Sequence, residues 1–371
     1  MHSLFIPALV LSLVATSALG QTDSFPLADP ASHIKPVATT LSLGHLTHSI
    51  EPVADASEMK YENGYFVGLT SNGSVQVLDK EGRATASFLP RPQLEQPPRE
   101  FQLLSTNDVT VALDGSITVS IIYMLPKDAR RYFYLLKFDK TGNFVEQLDL
   151  GSWRAMRICS AQDGSVWTLS GEERLGFAVY SPDEGVLRNY KTSSGLQKAV
   201  APRSRFPEDN RNSFAQNAAI DCSGEGVHAL TSDGQWLDYA RDGKLTITQV
   251  DSAGPLRADG PPRLRGFAYL PTGHAYVVVD FGSHDSSLRR LFELLPSANG
   301  LTLHWSEVLP AQRKNQSLFS SDEKASNEGH VVTHLLGADH SDGDQLVYIL
   351  SGASTIHWSR PTLSSVLATA E

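Results

Sequence analysis

The stretch VTVALDGSITVSII, Val109–Ile122, decides the fold. Two apolar runs flank Asp114-Gly115, and that pattern predicts two antiparallel strands joined by a tight turn. The unit recurs as ICSAQDGSVWTLSG from Ile158, AIDCSGEGVHAL from Ala219, FAYLPTGHAYVVVD from Phe267 and LLGADHSDGDQLVYILSG from Leu335, with a first copy, MKYENGYFVGLTSNG, from Met59. The turn glycines Gly64, Gly115, Gly164, Gly224, Gly273 and Gly343 return roughly every 50 to 70 residues, the period of propeller blades.

A second hairpin follows most copies: SVQVLDKEGRATASF from Ser74, YLLKFDKTGNFVEQLDL from Tyr134, FAVYSPDEGVLRNY from Phe177, WLDYARDGKLTITQV from Trp236 and LFELLPSANGLTLHW from Leu291. Each unit therefore reads as four antiparallel strands, innermost first. One such sheet cannot bury both its faces, but six around an axis bury them all and leave only short edges. The expected fold is all-β, a six-bladed β-propeller of four-stranded antiparallel blades. TIHWSR from Thr355 is the third strand of the last blade, and the segment TTLSLGHLTHSI from Thr39 is expected to supply its fourth, with VLATAE near the C-terminus as the alternative.

The units resemble NHL-like six-bladed propellers over roughly Val53 to Arg360, through the apolar run, the Asp-Gly and the second apolar run. The Pro-x-Gly usual before the inner strands of that family is largely missing.

The N-terminal run MHSLFIPALVLSLVATSALG ends in small residues before Gln21 and reads as an export signal over residues 1–20. Residues 21–38 read as an extended segment and 39–371 as a single propeller. The expected location is secreted or periplasmic. No later run is long enough to span a bilayer as a helix, so no membrane insertion is expected. With 41 acidic against 31 basic residues, the formal charge of -10 disfavours a nucleic-acid partner. Cys159 and Cys222 occupy equivalent strands of consecutive units, where a disulfide is feasible in an oxidising compartment.

The longest insertions, from Leu89, Lys191, Asp251 and Pro310, connect one blade to the next. With MLPKDARR from Met124 they emerge on one rim of a propeller. Arg130, Arg131, Arg203, Arg205, Arg211 and Arg263 lie there, and guanidinium groups take carboxylate, sulfate or phosphate in bidentate fashion. They are the candidate ligand-binding residues, although acidic neighbours such as Glu208 and Asp209 also suit ordinary solvated pairs.

No GxSxG, HExxH, GxxxxGK[ST] or paired CxxC occurs, so the sequence identifies no catalytic residue. His330 and His334 fall on one strand about 13 Å apart, too far to share an ion. Asn107 and Asn217 precede inner strands and are similar to the residues with which calcium-dependent, gluconolactonase-like propellers hold their metal. That resemblance implies a hydrolase of lactones or esters, with Glu58 or Asp339 completing the shell. The favoured reading is a noncatalytic exported propeller with no cofactor, binding a protein, peptide or carbohydrate, expected to be anionic, on its long-loop face. The calcium hydrolase is the second reading.

Overall fold

The computed structural model describes residues 39–41, 56–93, 102–124, 131–172, 187–191, 195–200, 218–222, 226–231, 234–240, 244–250, 263–270, 273–280, 289–296, 302–310, 332–341, 344–350 and 356–359. The segment β1 (Thr39–Leu41) precedes a succession of antiparallel sheets. The first contains β2 (Ala56–Glu62), β3 (Tyr65–Thr70), β4 (Val75–Asp79) and β5 (Ala84–Phe88), hydrogen-bonded in chain order. β6 (Gln102–Val111), β7 (Ile117–Met124), β8 (Arg131–Phe138) and β9 (Phe144–Asp149) repeat that order, as do β10 (Trp153–Ser160), β11 (Val166–Glu172), β12 (Leu187–Lys191) and β13 (Gly195–Val200).

The fourth sheet is larger. The antiparallel run β14 (Ala219–Asp221), β15 (Gly226–Leu230), β16 (Gln235–Ala240) and β17 (Leu245–Val250) joins β21 of the run β18 (Arg263–Tyr269), β19 (Ala275–Asp280), β20 (Arg289–Pro296) and β21 (Thr302–Pro310). The join is a parallel contact, Gln249 beside Thr302 and Val250 beside Leu303. The last sheet holds β22 (Val332–Asp339), β23 (Gln345–Leu350) and β24 (Ile356–Ser359). Hydrogen bonding thus gathers the described strands into five sheets where the repeats predict six, because two outer edges meet and pair.

The hairpins form where the sequence places them, for a local reason. Asp114, Asp139 and Asp163 each accept the backbone N–H two residues ahead at 2.9 Å, which closes the turn, and Gly115, Gly142 and Gly164 carry the positive φ that an L side chain resists. Both oxygens of the exposed Asp139 carboxylate are taken by Thr141 and Asn143, and these bonds hold its carboxyl well below the usual range.

Apolar layers lie between successive sheets. Val67 and Val77 pack on Val119 and Leu136; Phe133 and Leu135 on Trp153 and Ile158; Trp167 and Leu187 on Val227 and Leu237. The series continues through Trp236 on Phe292 and Tyr276 on Tyr348, and it closes where Trp358 and Val347 meet Tyr61 and Phe66. Each large side chain buried this way contributes roughly 1.5–3 kcal/mol. The last sheet packing on the first closes the ring, so the fold is an all-β propeller of small antiparallel sheets.

Two local expectations are corrected. In the third sheet, Leu187–Lys191 is the third strand and Gly195–Val200 the fourth, whereas the sequence reads the former as a fourth strand and the latter as loop. Leu187 and Tyr190 are both buried, as the third strand of a stacked sheet requires. β1 pairs in parallel with β21, Thr39 beside Val308 to Leu41 beside Pro310, and not with the last sheet. Residues 42–55 and the C-terminal VLATAE lie outside the described residues.

Candidate functional site

The innermost strands β2, β10, β14, β18 and β22, with Arg289 of β20, line a cavity with about 1060 Å³ of space not filled by atoms and continuous with solvent. Its walls mix polar and apolar side chains in about equal measure, and because alternate side chains of an inner strand face one way, Lys60 and Glu62 both reach it from β2.

Asp108, 1% exposed, lies behind the cavity wall and holds Lys60, which lines it. Its carboxylate accepts Lys60 Nζ at 2.7 Å and the N–H groups of Val109 and Ile158, each at 2.8 Å. Lys60 also donates to the carbonyls of Val109 and Ile158. Three neighbouring strands, β2, β6 and β10, are tied by this one pair.

Two residues further along, toward the turns, Glu62 accepts Thr110 Oγ1 at 2.7 Å, and Thr110 Oγ1 lies 3.1 Å from Ser160 Oγ. Removal from bulk water pushes the Glu62 carboxyl up to about 7. Lys60 and the Thr110 bond pull it down, and the charges of Asp108 and Asp221 push it further up. Beside them, Tyr61 donates to Asp339 at 2.8 Å. Burial and that neighbouring charge push the Tyr61 phenol far up. Partial burial opposes ionisation of Asp339, but bonds from Ser341 and Tyr61 outweigh it and hold the carboxyl below its ordinary range.

At the opposite end of the cavity stand Arg289 and His334. Arg289 Nη1 is 2.6 Å from His334 Nε2, so that ring nitrogen accepts and carries no proton. Arg289 Nε lies 3.6 Å from the buried Asp280 carboxylate, and Arg263, Asp280 and Arg289 are adjacent across β18, β19 and β20. Arg157 lines the same cavity from β10, its Nε donating to the Ala218 carbonyl at 3.2 Å. The cavity is thus polarised, with arginine and histidine at the mouth and carboxylates at the floor.

The residues expected from sequence are distributed as follows. Arg131 opens β8 and Arg263 opens β18, at the rim where Arg289 opens β20. Arg130, Arg203, Arg205 and Arg211 lie outside the described residues. Cys159 and Cys222 are joined in a disulfide with Cα atoms 5.5 Å apart, linking the third and fourth runs close to the cavity wall. Asn107 does not precede an inner strand; it is the extra residue of a bulge within β6. Its side-chain oxygen accepts Ser105 at 2.8 Å and its amide donates to the Ala155 carbonyl at 3.1 Å. Asp339 is committed to its own turn and to Tyr61. Asn107 and Asp339 thus bond to protein partners, and no cluster of three or more His, Cys, Asp or Glu suited to a metal occurs among the described residues. Asn217 and the Glu58 side chain fall outside them.

The sequence reading missed Lys60, Glu62, Asp108, Arg157 and Arg289. The first four carried a signal, since a charged residue inside an apolar inner strand has only the axis to face.

No family model and no curated protein matches this chain. Among solved structures it is similar to the extracellular domain of BT4673, a proposed one component system from B. thetaiotaomicron, at 13% identity with a TM-score of 0.38. The likeness covers 85% of this chain and 33% of the other, so this chain spans about a third of that protein's length.

Proposed function

We propose that the chain is a six-bladed, NHL-like propeller, exported from the cell, that binds the carboxylate of an acidic ligand at its axial mouth without transforming it. Six successive antiparallel runs with an apolar layer between each neighbouring pair support the blade count, the last blade taking its fourth strand from outside the described residues. The disulfide suits an oxidising compartment.

One observation carries the binding site: Arg289 is positioned at the cavity mouth between His334 and Asp280, with Arg157 on the same cavity from another blade. An ordered guanidinium fork loses little entropy on meeting a planar carboxylate, and the low-dielectric walls strengthen the pairing. The ligand class is an acidic sugar or a short peptide with a free C-terminus.

The test is calorimetric titration with D-glucuronate and with trialanine. Millimolar or tighter binding of at least one is expected, weakened at least tenfold by Arg289→Ala and by Arg157→Ala. Binding of neither probe, or binding indifferent to both substitutions, overturns the reading.

A further inference from the structure

Resting on that reading, we infer that anion binding at the mouth is coupled to the protonation of Glu62 at the floor of the same cavity, so that the ligand is held when the floor is neutral and released when it is charged. Glu62 and Arg289 line one cavity. From His334 at the mouth to Asp339 at the floor β22 advances five residues, which at ~3.3 Å each, shortened by one bulge at Leu336, sets the ends on the order of 13 Å apart. Protein fills the cavity walls, so the field between the ends runs through a medium of effective dielectric near ~20 and reaches a bound anion weakened but unlost.

The groups facing Glu62 determine what its proton does. Lys60 on its own strand is matched by Asp108 of β6, which it touches at 2.7 Å. Thr110 of β6 donates to Glu62 and Ser160 of β10 stands behind Thr110; both are neutral. Asp221 of β14 adds negative charge. On the β22 side Asp339 is capped by Tyr61 and Ser341. Lys60 acts on Glu62 more strongly than Asp108 does, but ionising Glu62 still lowers the charge at this end of the cavity by one, and this change opposes any carboxylate above it. Its titration near neutrality puts the change where it is functional. Coulombic repulsion at this separation amounts to roughly a threefold to tenfold change in affinity, and linkage requires the ligand to raise the proton affinity of Glu62 by the same factor.

Titration of D-glucuronate at constant ionic strength tests the coupling, because its own carboxylate stays ionised throughout. The Kd should rise threefold to tenfold from pH 6 to pH 8 in the wild-type protein. In Glu62→Gln it should stay near the low-pH value at both. A wild-type Kd independent of pH, or a slope that survives Glu62→Gln, overturns the coupling while leaving the mouth site standing. A slope abolished by His334→Gln and kept in Glu62→Gln assigns it to the imidazole and also overturns it. D-glucuronate that binds at no pH removes the coupling, and trialanine binding then decides the mouth site alone. Should Glu62→Gln fail to fold, proton uptake by the wild-type protein decides, measured as the dependence of binding heat on buffer ionisation enthalpy at pH 7. A fraction of a proton taken up per ligand is expected, and none overturns the inference.

Discussion

The α-carbon of Gly337 lies against the carbonyl oxygen of Tyr61, so the innermost strands of the last and first sheets touch backbone to backbone. A Cβ on Gly337 would overlap that oxygen, and its φ of +153° is one that L side chains avoid. Gly266 makes the same approach to the Leu335 carbonyl, one sheet earlier. These two glycines let three inner strands converge, and without that convergence the ring would not close. Gly337→Ala and Gly266→Ala should each cost about 3 kcal/mol, combining overpacking with backbone displacement. Gly64→Ala, in a turn with open space around it, should cost only about 1 kcal/mol through its φ of +85°. Thermal melts of the three variants check the order.

The Cys159–Cys222 bond closes a segment of 63 residues and ties two neighbouring inner strands. The chain-entropy relation gives about 4 kcal/mol for a loop of that size, and native disulfides contribute a similar amount when measured. Cys159→Ala/Cys222→Ala should lower the melting temperature by about 5 °C. Reductant should lower the wild-type midpoint likewise and leave the double variant unmoved.

The repeated hairpins were legible because their cause is local: an Asp, a Gly and flanking apolar runs suffice to set Asp114-Gly115 or Asp163-Gly164. The disulfide partners were legible because equivalent strands of adjacent units become neighbours in any propeller. The parallel meeting of β17 and β21 and the lodging of β1 beside Val308 were not, since both depend on where outer edges come to rest after the sheets stack. Gly195–Val200 was hidden for a different reason, its LQKAV pattern being too polar to stand out from the loop that follows. At the site, the sequence favoured loop arginines by their number, whereas Arg157 and Arg289 stand at the cavity by virtue of strand register.

The Lys60–Asp108 pair should behave as a buried ion pair whose acid is indispensable. Asp108→Ala leaves the Lys60 ammonium without its counter-charge and orphans the N–H groups of Val109 and Ile158. A loss of about 3–5 kcal/mol is expected. Adding Lys60→Met to that background removes the stranded charge and should restore part of the loss, but not all, because the two backbone donors stay unsatisfied. Urea unfolding of Asp108→Ala, Lys60→Met and the double variant beside the wild-type protein, read as a double-mutant cycle, checks the sign of the coupling.

Glu62 should make stability depend on pH in the direction opposite to a paired surface carboxylate. Its carboxyl titrates near 4.5 in the unfolded chain and at about 7 in the fold, so the native state holds the proton more tightly. Stability linked to that proton is fully present below about pH 4.5 and declines as pH rises through 7, since the unfolded chain ionises first. Partial exposure of Glu62 at the cavity moderates the full linkage value to on the order of 2 kcal/mol. Carboxylates held low, such as Asp339, titrate in more acidic solution and leave this window clear. Denaturant midpoints measured from pH 5 to pH 8 should therefore fall in the wild-type protein and run nearly level in Glu62→Gln. A wild-type midpoint that climbs over the same range would mean that Glu62 is ionised in the fold, with Lys60 and not Asp108 as its effective partner.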